Sequence, residues 1–118
     1  MSFDPTSLTY DANGLIPAIA QDHVTGEVLM LAWMNAEAVA RTLASGEVTY
    51  WSRSRQAFWV KGQTSGHRQK LVELRVDCDR DCLLALVDQT GPACHTNRRS
   101  CFYTALRDGA EVEILQPE

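Results

Sequence analysis

Gln69-Lys70-Leu71-Val72-Glu73-Leu74-Arg75-Val76 runs into Asp77-Cys78-Asp79-Arg80-Asp81-Cys82 and then into Leu83-Leu84-Ala85-Leu86-Val87. The first segment alternates well enough for a strand, with Leu71 and Val72 breaking the strict period. The last is a short apolar run of the buried-strand kind. Between them, three carboxylates stand at every second position. On an ideal strand they share a face, but each step of two residues advances about 6.6 Å, leaving the outer pair roughly 13 Å apart. Oxygen ligands sit near 2.1 Å from a small hard cation, so no single ion spans that distance. If Asp77, Asp79 and Asp81 hold one ion, the strand bends into a loop at 79–81. Ligand reach forces that bend.

The rest of the chain reads outward from this pair of strands. Residues 1–14 form a surface lead-in closed by Asp11-Ala12-Asn13-Gly14. A strand follows at 15–20, where Pro17 predicts an edge position. Thr25-Gly26 marks a turn into Val28–Trp33, read as a strand buried on both faces. Asn35 caps a helix over 36–45, with Ala38, Val39, Thr42 and Leu43 on its inner face and Gly46 as its stop. Aromatic-rich strands are expected at 48–53 and 57–61, and residues 62–68 and 88–100 are loops. The tail, 101–107 and 111–115, reads as a hairpin turned at Asp108-Gly109. The expected class is α+β, mainly β, with one principal helix.

A chain of 118 residues supports one domain with one core, taken as 1–118. Its 45% hydrophobic and 22% charged content is ordinary for a globular protein. A net charge of −4 argues against a general nucleic-acid binder. No apolar run approaches the roughly 20 residues that span a bilayer, which speaks against a membrane partner. The start, Met-Ser-Phe-Asp-Pro-Thr, has no secretory pattern, so the cytoplasm is the expected location and its four cysteines are expected reduced.

Reduced cysteines near carboxylates suggest metals. Carboxylate oxygens suit Mg²⁺, Mn²⁺ or Ca²⁺, whereas thiolate and imidazole suit Zn²⁺. A calcium loop of the EF-hand type does not fit, because Cys82 stands where that loop needs Gly. Cys78 is followed by Cys94 after sixteen residues and by Cys101 after seven more. Three thiolates leave zinc an open position, as catalysis requires, whereas a fourth from Cys82 would close a structural site. Spacing does not separate these, and each cysteine alone also reads as a small buried apolar residue; Cys82, beside Leu83, reads best as core. The carboxylates alone read equally as a solvated acidic turn. His95 follows Cys94 and suits either ligation or proton transfer near neutral pH.

Five basic residues, Arg53, Arg55, Lys61, Arg68 and Lys70, fall between positions 53 and 70 with no acid among them. Tyr50, Trp51, Phe58 and Trp59 interleave with this tract. Arginine forks match phosphate oxygens and aromatic faces stack on purines, although Trp51 and Phe58 also read as core. The loop Gly62-Gln63-Thr64-Ser65-Gly66 offers backbone N–H groups to an anion.

Together these segments resemble the phosphoribosyl-AMP cyclohydrolases, which open the purine ring in histidine biosynthesis. The resemblance is carried by Met34-Asn35 with Glu37-Ala38, Tyr50-Trp51-Ser52-Arg53-Ser54-Arg55, Trp59 with Lys61-Gly62, and Thr64-Ser65-Gly66. Asp77-Cys78-Asp79 with Asp81, and Cys94-His95-Thr96 with Ser100-Cys101-Phe102, complete it over residues 15–106. Gln63 departs from the Glu more usual in that family, and His67 from Asn. The resemblance implies a small pseudobarrel-like, strand-rich fold and Mg²⁺ at Asp77, Asp79 and Asp81. It implies Zn²⁺ at Cys78, Cys94 and Cys101, in a homodimer whose zinc sites draw cysteines from both chains. It further implies hydrolysis of the N1–C6 bond of 1-(5-phosphoribosyl)-AMP by zinc-activated water. His95 would move the proton, and Trp51, Arg53, Arg55, Lys61, Thr64 and Ser65 would meet the nucleotide. The chain is expected to lack the pyrophosphohydrolase domain often fused to this family. Two rivals from other classes are a zinc-stabilised anion-binding module and a deaminase-like hydrolase of ordinary nucleotides.

Overall fold

Ile16–Asp22, buried at every second position, forms strand β1 of the computed structural model, which describes residues 3–118. Gly26, at φ +77, turns the chain into β2 (Val28–Met34), paired antiparallel to β1. Asn35 then caps α1 (Ala36–Ser45), its side-chain oxygen accepting from the Ala38 N–H at 2.8 Å, and Gly46 ends it at φ +76. β3 (Thr49–Ser52) and β4 (Ala57–Val60) make a separate hairpin. β5 (Gln69–Val76) and β6 (Leu83–Gln89) flank the acidic turn. β7 (Thr104–Arg107) and β8 (Ala110–Glu113) close the chain as a hairpin, with Asp108 and Gly109 both at positive φ as a type I′ turn requires.

One mixed four-stranded sheet, in the order β2-β1-β6-β5, organises the molecule. β1 runs antiparallel to β2 and parallel to β6, and β6 antiparallel to β5. The α+β, mainly β expectation and the helix at 36–45 agree with this architecture. A barrel-like closure does not form: the sheet is open, ending in β2 and β5.

Two strand positions are exchanged relative to the sequence reading. Pro17 lies in an interior strand, not at an edge. The ladder between β1 and β6 begins at Ala18, one residue later, so the missing N–H removes no sheet bond. β2, expected to be buried on both faces, is instead an edge strand with Val28 and Leu31 exposed. Leu43, placed on the inner face of the helix, is also exposed, while Ala38, Val39 and Thr42 are buried as expected. The lead-in, whose first two residues lie outside the described ones, is not wholly at the surface, since Leu8 joins the core.

That core gathers Ile16, Leu29, Met34, Val39, Val48, Tyr50, Leu83 and Val87 between the sheet, α1 and the β3–β4 hairpin. Tyr50 is fully buried and donates its O–H to Gln69 Oε1 at 2.8 Å, while Gln69 Nε2 donates to Met30 Sδ at 3.3 Å. Tyr50→Phe strands the Gln69 oxygen without a donor, an expected loss of about 1–3 kcal/mol. Urea denaturation of the variant, with an unchanged slope and a lower midpoint, is the check.

Candidate active site

The acidic turn is built by its own first residue. Asp77 Oδ1 accepts from the N–H groups of Asp81 (3.0 Å) and Cys82 (3.2 Å), and Arg80 N–H donates to Asp77 O at 3.0 Å. Arg80 takes φ +62, a left-handed conformation unfavourable to a side-chain-bearing residue. Its bonds to the lead-in offset that: Nη2 donates to Ser7 Oγ (2.8 Å), and Thr9 N–H donates to Arg80 O (2.8 Å). The result is the predicted bend. Among the described residues, Asp77, Asp79 and Asp81 are the only three potential ligands whose donor atoms lie within 4.8 Å of one another. Oxygens about 2.1–2.6 Å from one ion lie at most about 4.2–5.2 Å apart, so the donor set fits a hard divalent cation. Without one the carboxyls crowd each other. Asp81 is pushed above the ordinary carboxylate range by lost hydration, its hydrogen bond with Asp77, and the charges of Asp77 and Asp79.

Cys94 and Cys101 come together at the opposite ends of another tight loop. Cys94 N–H donates to Arg98 O (3.1 Å), and Asn97 N–H donates to Cys94 O (3.0 Å) with Asn97 at φ +63. Cys101 N–H donates to Leu29 O (2.7 Å) and Ser100 Oγ to Val28 O (2.7 Å), which pins the loop along the edge of β2. Arg99 pairs with Asp22 and Glu27 at the β1–β2 turn, and Arg98 lies 4.0 Å over the Tyr103 ring while its Nε donates to Leu115 O. Two arginines therefore anchor the cysteine loop from either side.

The two sulfurs are not equivalent. Burial opposes ionisation of Cys94, but the Thr96 hydroxyl (3.0 Å from Sγ), the Thr96 N–H, the Cys101 thiol and Arg98 together outweigh it, and the Cys94 thiol is more acidic than usual. Cys101 is pushed up to about 11, by burial and then by Cys94. An acidified thiol near a second thiol offers two soft donors of the kind that bind a thiophilic metal. Cys78, exposed in the acidic turn, does not join this pair within one chain, and neither does the exposed His95 ring. Cys82, read as core, is half-buried at the start of β6.

The basic, aromatic tract forms a cleft of about 560 Å³ lined by Leu31, Trp33, Trp51, Arg53 and Trp59. Arg53 stacks 4.7 Å over the Trp33 ring, and a neighbouring hollow joins Trp33 to Asp81. Trp51 packs edge-on against Phe58 with centroids 4.8 Å apart, half-buried, so it serves both packing and cleft wall. Arg55, Thr64 and Ser65 are exposed. Lys61 is not with the arginines: its Nζ donates to Ala93 O at 2.6 Å, beside the cysteine pair. A groove of the same volume between α1 and the β3–β4 hairpin, lined by Arg41, Phe58, Val60 and Gln63, contains none of the candidate ligands. Trp33, Arg98 and Arg99 were not singled out from the sequence, and Thr96 entered only within the Cys94-His95-Thr96 motif, without a role of its own. Trp33 was hidden in an apolar run whose edge position only strand pairing reveals.

Comparison with known proteins adds an independent line. A family model described as phosphoribosyl-AMP cyclohydrolase matches residues 30–103. The phosphoribosyl-AMP cyclohydrolase of Cereibacter sphaeroides (strain KD131 / KCTC 12085) is 80% identical over 117 residues, covering 99% of this chain and 98% of that protein. The Paracoccus denitrificans (strain Pd 1222) protein of the same name is 81% identical over 116 residues, 98% of this chain and 96% of its own. That of Ruegeria pomeroyi (strain ATCC 700808 / DSM 15171 / DSS-3) is 77% identical over 117 residues, 99% and 98%.

Proposed function

The chain belongs to the phosphoribosyl-AMP cyclohydrolase family, and from that premise we propose that it hydrolyses the N1–C6 bond of 1-(5-phosphoribosyl)-AMP in histidine biosynthesis at a two-metal site shared between two copies of the chain. Water adds to C6, the C6–N1 bond breaks, N1 takes a proton, and C6 keeps the new oxygen and its exocyclic nitrogen as a carboxamide. The observation that carries the metal reading is the division of donors: three converging carboxylates at 77–81 and two thiols, Cys94 and Cys101, on one tight loop.

Zinc held by Cys94, Cys101 and Cys78 of a second copy would supply a Lewis acid that activates water at neutral pH, and Mg²⁺ at Asp77, Asp79 and Asp81 a hard cation for phosphate oxygens. Cys78 lies between Asp77 and Asp79, so the same turn would supply donors to both groups of ligands. Support for a second copy comes from the β7–β8 hairpin, which stands apart from the main sheet with Leu106 79% exposed and Val112 and Ile114 also open to solvent. An isolated two-stranded hairpin is marginal in water unless its apolar side is covered.

The remaining residues bind and move protons. Thr96 keeps Cys94 in its ligating form. His95, exposed next to that ligand, takes the proton from water and returns it to N1. Arg53 and Arg55 meet a phosphate, Trp51 walls the cleft that takes the base, and Thr64 and Ser65 offer hydroxyls to the ribose-phosphate arms. Among the described residues no helix is long and apolar enough to cross a membrane. A small nucleotide of the cytoplasm is the partner this reading expects, rather than a nucleic acid or a membrane.

The test is an assay with 1-(5-phosphoribosyl)-AMP. The expected outcome is a near-ultraviolet absorbance change without ammonia, abolished by a chelator and restored by Zn²⁺, from protein that elemental analysis shows to hold zinc. Ammonia release marks a deaminase instead. Unfolding on chelation with no turnover marks a binding module.

A further inference from the structure

Lys61 is a half-buried cation with no carboxylate partner among the described residues. Its backbone is fixed at the end of β4, where its N–H donates to Val48 O at 3.0 Å. Gly62 then reverses the chain at φ +80, in a space where any Cβ would lie 2.4 Å from the backbone of His67 and Arg68. The loop so formed folds onto the cysteine loop, with Thr90 N–H donating to Arg68 O at 2.9 Å and the His67 imidazole 2.7 Å from the position of a Cβ on Gly91. From this base Lys61 Nζ donates to Ala93 O, the carbonyl immediately before Cys94, at 2.6 Å. One of the three ammonium donors is used there. That bond fixes the ammonium at the residue preceding Cys94, on the loop that Cys101 closes.

A cation withdrawn from water needs a counter-charge, and the surrounding 53–70 tract contains no acid to provide one. Thiolates would provide it. When three thiols bind a divalent ion they lose three protons, leaving the cluster with one net negative charge. A fixed ammonium beside it favours that bound state over the protonated, metal-free one.

We infer that Lys61 is a positioning residue of the zinc site: it braces the Cys94 loop through the Ala93 carbonyl and offsets the negative charge of the Cys94 and Cys101 ligands, instead of contacting a substrate phosphate. This rests on the metal reading above. The experiment is competition for Zn²⁺ between a chromophoric chelator and metal-free wild-type, Lys61→Met, Lys61→Gln and Lys61→Arg proteins, with KM and kcat measured alongside. Lys61→Met and Lys61→Gln are expected to bind Zn²⁺ about 10–100-fold more weakly, the usual effect of losing a group that supports metal ligands. Lys61→Arg is expected to recover most of the loss, and KM is expected to stay unchanged once zinc is saturating. Lys61→Gln keeps a donor for Ala93 O without the charge, so it carries the test if Lys61→Met fails to fold. Wild-type zinc affinity in either neutral variant, with KM raised, assigns Lys61 to a phosphate and overturns the inference. A wild-type protein that binds no zinc overturns the metal reading and this inference together, a result distinct from variants that bind as the wild type does.

Discussion

A one-to-one mixture of Cys78→Ala and Cys101→Ala chains, each inactive alone, is expected to regain about a quarter of wild-type turnover after joint unfolding and refolding. Cys94 and Cys101 lie on one tight loop and each alters the acidity of the other, but Cys78 sits in the acidic turn and does not meet them in one chain. In a two-fold dimer each zinc site then takes Cys78 from one chain and the pair from the other. A mixed dimer has one site that combines the intact Cys78 of one variant with the intact pair of the other, and a second site broken twice. Random pairing gives about half mixed dimers, each with half its sites, hence the quarter. Cys94→Ala mixed with Cys101→Ala is the control and regains nothing, since both changes fall on the same side of the site. If Cys78→Ala and Cys101→Ala also fail to complement, although each mixes freely with wild-type chains, the thiolates do not come from two copies.

That experiment addresses the part of the site least legible in the sequence. Wherever a local rule decides structure, the residues were sufficient. The carboxylate spacing called for a bend at Asp79–Asp81, and the Asp77 hydrogen bonds form one; Asn35 and Gly46 bounded the helix; Asp108-Gly109 turned the last hairpin. Tertiary neighbours were not readable in the same way. Six apolar residues at Val28–Trp33 look alike at an edge or in the interior, and only the register against β1 places them at the rim with Trp33 facing the cleft. Pro17 misled for the complementary reason, because its cost depends on where the parallel ladder with β6 begins. Lys61 shows the same limit at the site. It belongs to a tract whose other charges are all basic and suited to phosphate, whereas its hydrogen-bond partner in space is Ala93, beside the cysteine pair. Cys78 goes one step further, since a single folded chain still leaves it without its companions.

His95→Ala is expected to lower kcat by about 10²–10⁴-fold while leaving zinc content and the fold unchanged. The imidazole is exposed, and its donor atoms do not join Cys94 and Cys101 in a ligand cluster, so removing it leaves the metal donors intact. Yet its backbone is held rigidly between Cys94, whose N–H donates to Arg98 O, and Thr96, whose hydroxyl donates to the Cys94 sulfur. The ring therefore projects from a fixed point one residue from the ligand, as a proton carrier between water and N1 requires. Neutral imidazole accepts the water proton and imidazolium returns it to the leaving nitrogen. His95→Asn, which hydrogen-bonds but cannot carry the proton across, is expected to lower kcat as His95→Ala does. Parallel loss of zinc in His95→Ala would make the ring a ligand, and near-wild-type kcat would remove it from the reaction. The three Cys variants and the two His variants therefore separate what holds the metal from what moves the proton.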